Sequence, residues 1–424
     1  MSSTNVKSVK SLSPIKQLHR LVLASMLWEK QFYLDGVESA TLIKSLVPKC
    51  QPTDVAILAI EARNNYNLRH VPLLLCRELA RIGKLNAATL NEVVQRADEM
   101  GEFLSIYWKE GKVPLSNQVK KGLAKAFVKF NEYQLAKYDR NSASVSIRDV
   151  MFLVHAKPVT VAQEDLFKRV ATQELKTPDT WEVQLSKGAD KKETFTRLMK
   201  ENKLGALAFL RNLRNMVESG VSESIIRTYS ASINVDKVLP FRYIAAARIV
   251  PQFEDMLEAM MFRSLAKAEK LSGKTVLLVD VSGSMFGVKV SEKSDLDRYD
   301  AAAALAMLCS EVCEQVEVYS FSNNVARIAP RKGFALSEAI SGSQPHSGTY
   351  LGGAIAALNA NCNYDRLIII TDEQSNDVVG TAKMDKSYIL NVASYMNGVN
   401  QNSYTTITGF SESCIEYIRE LERV

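Results

Sequence analysis

Asp280, Ser282 and Ser284 stand at alternate positions of a D-V-S-G-S run that closes the apolar stretch TVLLVD. One carboxylate and two hydroxyls in a tight loop can converge on a single hard cation, since Mg²⁺ and Ca²⁺ prefer oxygen ligands. Ser-rich turns after strands are common, so this run is weak by itself. Thr349, in an S-G-T step that opens a helical stretch, and Asp372, which ends RLIIITD, offer two further oxygens. If the two apolar stretches are neighbouring strands of one sheet, all five groups lie on one rim and the pattern becomes specific. The plain alternative is a set of polar groups that only tie loops together.

A second constellation suits polyanions. Lys121, Lys125 and Lys129 recur every four residues, opposite the apolar stripe of their own helix. Lys137, Arg140 and Arg148 follow, with Phe130, Tyr133 and Tyr138 interleaved. Cations for phosphates together with aromatic faces for unstacked bases is the chemistry of single-stranded RNA recognition. A lysine stripe taken alone more often marks a solvated helix face.

The charge distribution agrees with one-sided polyanion binding. Residues 1–273 hold 41 Lys+Arg against 29 Asp+Glu, whereas residues 274–424 hold 12 against 18. A basic half is thus joined to an acidic one. The four histidines (19, 70, 155, 346) show no metal-binding spacing, which argues against a zinc hydrolase. No GxxxxGK loop, GxSxG elbow or Cys–His pairing points to an enzyme. The longest apolar runs fall well short of the roughly 18–20 residues of a membrane span, and residues 1–10 lack an apolar signal core. Six cysteines without a CxxC pair read as reduced thiols, so a cytoplasmic protein is expected.

Two kinds of element must position these groups. From Leu18 to Lys270 the chain reads as roughly a dozen short amphipathic helices, with breaks at 48–52, 83–86, 111–114, 157–160, 176–179 and 219–220. One stripe is Val71, Leu74, Leu75, Leu79 and Ile82; another, after a Ser116 cap, is Val119, Leu123, Ala126, Phe127 and Phe130. Many short helices without a long bundle-forming one predict an α-solenoid. The stretch 204–217 is apolar nearly all round, which predicts burial between neighbours, with Arg211 and Arg214 held by partners. Trp181 and Arg242 read as packing residues. After a polar linker at 267–274, strands at 275–280, 316–322, 366–372 and 405–410 alternate with helices at 299–315 and 350–360. That alternation predicts a doubly wound, Rossmann-like α/β domain with its site at the carboxyl ends of the strands.

The D-x-S-x-S loop with Thr349 and Asp372 resembles the metal-ion-dependent adhesion site of von Willebrand factor A domains. The resemblance implies Mg²⁺ held by Asp280, Ser282, Ser284, Thr349 and Asp372, with one position open to an acidic group of a partner. The helical half resembles the TROVE module of the Ro autoantigen family, in a form closer to bacterial and phage Ro ribonucleoproteins than to animal ones. The stretches that carry this are MLWEKQFYLDG (26–36), LRHVPLLLCRELA (68–80), VQRADEMGEFLSIYW (94–108), WEVQLSKGAD (181–190), LMKENKLGALAFLRNLRNM (198–216) and VLPFRYIAAAR (238–248).

The resemblance carries expectations about fold, partners, contact residues and role. Residues 11–272 are expected to form a TROVE module of HEAT-like repeats closed into a monomeric ring, and residues 273–424 the A domain. The partners implied are Y RNA-like small noncoding RNA on the exterior and single-stranded ends of structured or misfolded RNA at the hole, with an exoribonuclease as a further partner. The family's RNA-contacting histidine matches His155 in V-H-A-K-P, and its basic contacts match Lys137 and Arg140. The expected role is a non-enzymatic scaffold in RNA quality control. The competing role is a metal-dependent adaptor that captures an acidic protein, with RNA binding secondary.

Overall fold

A computed structural model describes residues 13–24, 36–139, 144–236, 238, 240–290, 296–393, 403–408 and 413–423. Most of the stretch 26–36, and Arg140, lie outside the described residues. The chain divides into two compact units, with the change between Gly188 and Ala189.

In the first unit helices follow one another at the predicted breaks. The helix Pro52–Asn64 touches both His70–Arg81 and Ala87–Val93; His70–Arg81 reaches Asp98–Tyr107; Asn117–Val128 reaches Ala87–Val93 and Ile147–Val154. Packing of successive helices on near neighbours is the signature of a stacked helical solenoid. One continuous core runs through it from Leu18 to Val170. Ser116 caps its helix as expected, its hydroxyl accepting from Val119 N at 3.3 Å, and Val119, Leu123, Ala126 and Phe127 are fully buried. The stripe on His70–Arg81 is displaced. Leu73, Leu75, Cys76 and Leu79 are fully buried, whereas Ile82 is 38% exposed and Val71 and Leu74 only partly covered. A helix in a stack is covered on two sides, so its buried arc is wider than a single-stripe reading assumes.

The second unit contains five helices, Lys191–Lys200, Ala206–Glu218, Glu223–Ser232, Pro240–Ile249 and Glu254–Leu265, packed with an α/β part. The helix Ala206–Glu218 is not buried all round: Phe209, Leu210, Leu213 and Met216 form its inner face, while Arg211 and Arg214 are exposed. Arg214 Nε lies 3.4 Å from Glu218, one turn on. Spacing explains the difference, because 207, 211, 214 and 218 share the opposite face of the helix. Arg242 is exposed as well, and Trp181 is half-buried.

The sheet has six strands: β1 Leu271–Asp280, β2 Cys313–Phe321, β3 Val325–Arg327, β4 Arg366–Thr371, β5 Ser387–Asn391 and β6 Thr405–Thr408. Their order is β3-β2-β1-β4-β5-β6, parallel throughout except for the antiparallel edge strand β3. From β1 the chain moves outward to β2, then returns to place β4 on the other flank of β1. The connections diverge between β1 and β4, which makes their carboxyl ends the topological switch point where open α/β sheets bind ligands. The helix Arg298–Val312 begins with a capping box at Asp297 and is buried along almost its whole length. One side lies on β1, β2 and β4, and the other receives Pro240–Ile249 and Glu254–Leu265. Its run of alanines allows that double approach.

Candidate functional site

β1 and β4 pair in register, with Val279 opposite Ile370, so Asp280 stands level with Thr371 at the switch point and Asp372 follows one residue on. Both carboxylates are fully buried. Asp280 Oδ1 accepts from Ser282 N at 2.8 Å, and Oδ2 accepts from the Thr371 hydroxyl at 2.6 Å. The Ser282 and Ser284 hydroxyls lie 3.3 Å apart, close to the ~3 Å between adjacent ligands on an octahedral cation with bonds of about 2.1 Å. Gly283 N donates to Ser347 O at 3.1 Å, which ties this loop to the one carrying Thr349. Thr349 is buried and two residues ahead of the helix Leu351–Asn361, and its carbonyl accepts from Asn376 N at 2.7 Å.

Gly352 is needed for this arrangement. A Cβ there would stand 2.1 Å from Val378 O, so only glycine lets the loop after β4 lie against the helix start. Asp377 then accepts from Gly352 N and Gly353 N at 2.8 and 2.7 Å. Among the described residues no cluster of three or more His, Cys, Asp or Glu could hold a metal. The set here has two carboxylates and three hydroxyls, all hard oxygens, and it fits Mg²⁺ rather than zinc.

Burial pushes the Asp280 carboxyl up to about 7, and the charge of Asp372 acts in the same direction. The hydrogen bonds from Thr371 and Ser282 only partly oppose this. Two acidic groups this close and this dry favour a compensating cation. One compensating charge is internal. Arg298, the first residue of its helix, donates from Nη1 to Asp372 Oδ2 at 2.7 Å and to Ser284 O at 3.3 Å.

The basic and aromatic residues divide differently. Lys121, Lys125 and Lys137 are exposed. Lys137 Nζ lies 5.8 Å from the Tyr133 ring and 5.9 Å from the Tyr138 ring. Lys129 is exposed as well, but its ammonium reaches across to the carbonyls of Asn91 and Val94, at the end of the helix Ala87–Val93. Burial pulls its pKa down. His155 is exposed and closes the helix Ile147–Val154 in the left-handed region, with φ +52°.

His155 also lines a groove of about 740 Å³ with Trp108, Lys112, Asp149 and Phe152. Phe152 is 53% exposed, and Lys112 stands over the Trp108 ring at 5.3 Å. A second groove of about 660 Å³ shares Ser144 and Val145 with the first and contains Arg69, Arg96 and Tyr138. Its cations are already matched, Arg69 by Asp98 and Glu102, Arg96 by Asp98. The first groove therefore suits a base and its phosphate better. The sequence pattern does not single out Trp108, Lys112 and Phe152; the W that ends FLSIYW is its one signal. Lys121 and Lys125 line neither groove.

Stacked helices followed by a doubly wound α/β domain with an acidic, hydroxyl-rich switch point define a class of two-part proteins. Residues 168–275 match the TROVE domain family. Across the whole chain the fold is similar to the crystal structure of the Deinococcus radiodurans Ro (RSR) protein, with a TM-score of 0.67 and 16% identity, covering 96% of this chain and 99% of that one. A comparison with curated proteins found none that matches. Residues 168–275 are thus similar to the TROVE domain, and the chain as a whole has a fold similar to that of a Ro protein.

Proposed function

We propose that the protein is a non-enzymatic RNA-binding scaffold of a small ribonucleoprotein. It takes Y-like small noncoding RNA on the basic helical half and single-stranded ends of structured or misfolded RNA, in RNA quality control. The observation that carries this reading is the groove lined by Trp108, Phe152 and His155 together with Lys112, with Lys137 exposed elsewhere on the same helical half. Ring faces hold unstacked bases and ammonium groups hold phosphates. An exoribonuclease partner and a ring geometry enter this reading through the Ro resemblance. RNA co-purifying with the protein from its native host, once sequenced, tests it: a discrete small noncoding RNA supports the scaffold, and recovery of bulk RNA only, in proportion to abundance, overturns it.

Mg²⁺, in this reading, is held by Asp280, Ser282, Ser284, Thr349 and Asp372, and supplies a Lewis-acidic position for a carboxylate. The chain's residues orient it: Thr371 and Ser282 N fix the Asp280 carboxylate, and Asn376 fixes the Thr349 backbone. The buried carboxylate pair also favours a second reading, an adaptor whose cation captures an acidic partner protein. Removing divalent cations with a chelator separates the two. A scaffold keeps its RNA affinity, and an adaptor loses its protein partner.

A further inference from the structure

The cation site is built with a positive side chain already inside it. Arg298 is 4% exposed and Asp372 0%, and the guanidinium is hydrogen-bonded to residues at two of the five ligand positions, Asp372 and Ser284. Asp300, in the same turn, accepts instead from Asp297 N and from Arg248. Breaking a buried ion pair by removing one partner is strongly unfavourable, which favours keeping the pair with Asp372.

We infer that Arg298 is a tethered counter-cation: it holds Asp372 in place when no metal is bound and competes with a divalent cation for that carboxylate. This rests on the cation reading above and deepens it, because it makes the site weak and exchangeable rather than permanently filled. A dication entering among these oxygens meets a unit positive charge bonded to one of its own ligands, at a depth where screening by water is poor. Binding therefore requires Arg298 to turn away from Asp372 Oδ2 or tolerates it at a large loss of affinity.

The test is Mn²⁺ binding to the full chain, followed by calorimetry and by the electron paramagnetic resonance of free Mn²⁺, for wild type, Arg298→Met and Arg298→Lys. Arg298→Met, with a similar stem and no charge, should bind at least about tenfold more tightly. Arg298→Lys, which keeps the charge, should stay within about threefold of wild type. Equal or weaker binding by Arg298→Met overturns the tether and leaves the cation reading standing. Absence of Mn²⁺ binding in all three proteins removes the cation reading, and the tether with it. Should Arg298→Met fail to fold, a crystal structure of wild type with Mn²⁺ decides. The guanidinium is expected off Asp372 Oδ2, and a metal in place with that hydrogen bond intact contradicts the proposal.

Discussion

The Asp280 carboxyl, raised to about 7, would make the proposed cation site sensitive to pH. Its folded value lies above that of the unfolded chain, so between roughly pH 4 and 7 the cation-free folded state holds a proton that the unfolded state has lost. Stability of the cation-free protein therefore falls as pH rises through that window. A dication must displace the same proton, so its binding strengthens over the same window. Thermal stabilisation by Mg²⁺ should be small at pH 5.5 and reach its plateau near pH 7.5; a flat response would assign the effect to another site. Asp280→Ala with Asp372→Ala should abolish that stabilisation and leave RNA affinity unchanged. His155 poses a different question, because a left-handed non-glycine residue is strained. His155→Gly should raise stability by about 0.5–1 kcal/mol and weaken RNA binding by about 1–3 kcal/mol if the ring stacks on a base. A variant with both stability and affinity unchanged would remove His155 from the RNA surface. The five candidate oxygens are legible in the sequence because their spacing is local or tied to strand ends. Arg298 and Thr371 are not, since nothing in a D-x-S-x-S pattern says which neighbours hold its carboxylates.

Helices were read well because a 3.6-residue stripe with Gly and Pro breaks is a strong local signal. Two strands were missed. β3 is only three residues long, and β5, Ser387–Asn391, follows Met384-Asp385-Lys386 and resembles a loop edge until β4 and β6 enclose it. The polar linker expected at 267–274 ends four residues sooner, since β1 begins at Leu271. The groove of Trp108 and Phe152 was equally hidden, as it forms only where the helices Asp98–Tyr107 and Ile147–Val154 pack together. The lysine stripe shows what packing does to a surface pattern. Lys129 satisfies carbonyls that the helix Ala87–Val93 leaves open, so it is a C-terminal cap. Lys129→Ala should cost about 1 kcal/mol of stability, read as a lowered denaturant midpoint. Lys121→Ala with Lys125→Ala should leave that midpoint unchanged and flatten the salt dependence of RNA affinity. The reverse assignment of these effects would make Lys129 the RNA contact.

At the scale of the whole chain, basic residues concentrate before position 274 and acidic ones after it, whereas compactness changes at Gly188. The helices at 191–265 are physically part of the unit that contains the sheet. Arg248 binds Asp300, and Phe334 N donates to Glu258 at 2.8 Å. A fragment beginning at 274 would lose the first residues of β1 and uncover the Arg298–Val312 helix, so RNA binding is best measured on the intact protein. The central claim is that the basic helical half holds RNA through phosphates and stacked bases, independently of the cation site. The most direct test is the slope of log affinity against log salt concentration for a small structured RNA, with the intact chain as wild type, as Lys137→Ala with Arg140→Ala, and as Asp280→Ala with Asp372→Ala. Each phosphate contact adds roughly 0.7–0.9 to the slope. A steep wild-type slope is predicted, flattened by up to about two contacts in the Lys137/Arg140 variant and unchanged in the Asp280/Asp372 variant. A shallow wild-type slope, or affinity that disappears with the two aspartates, would contradict the account.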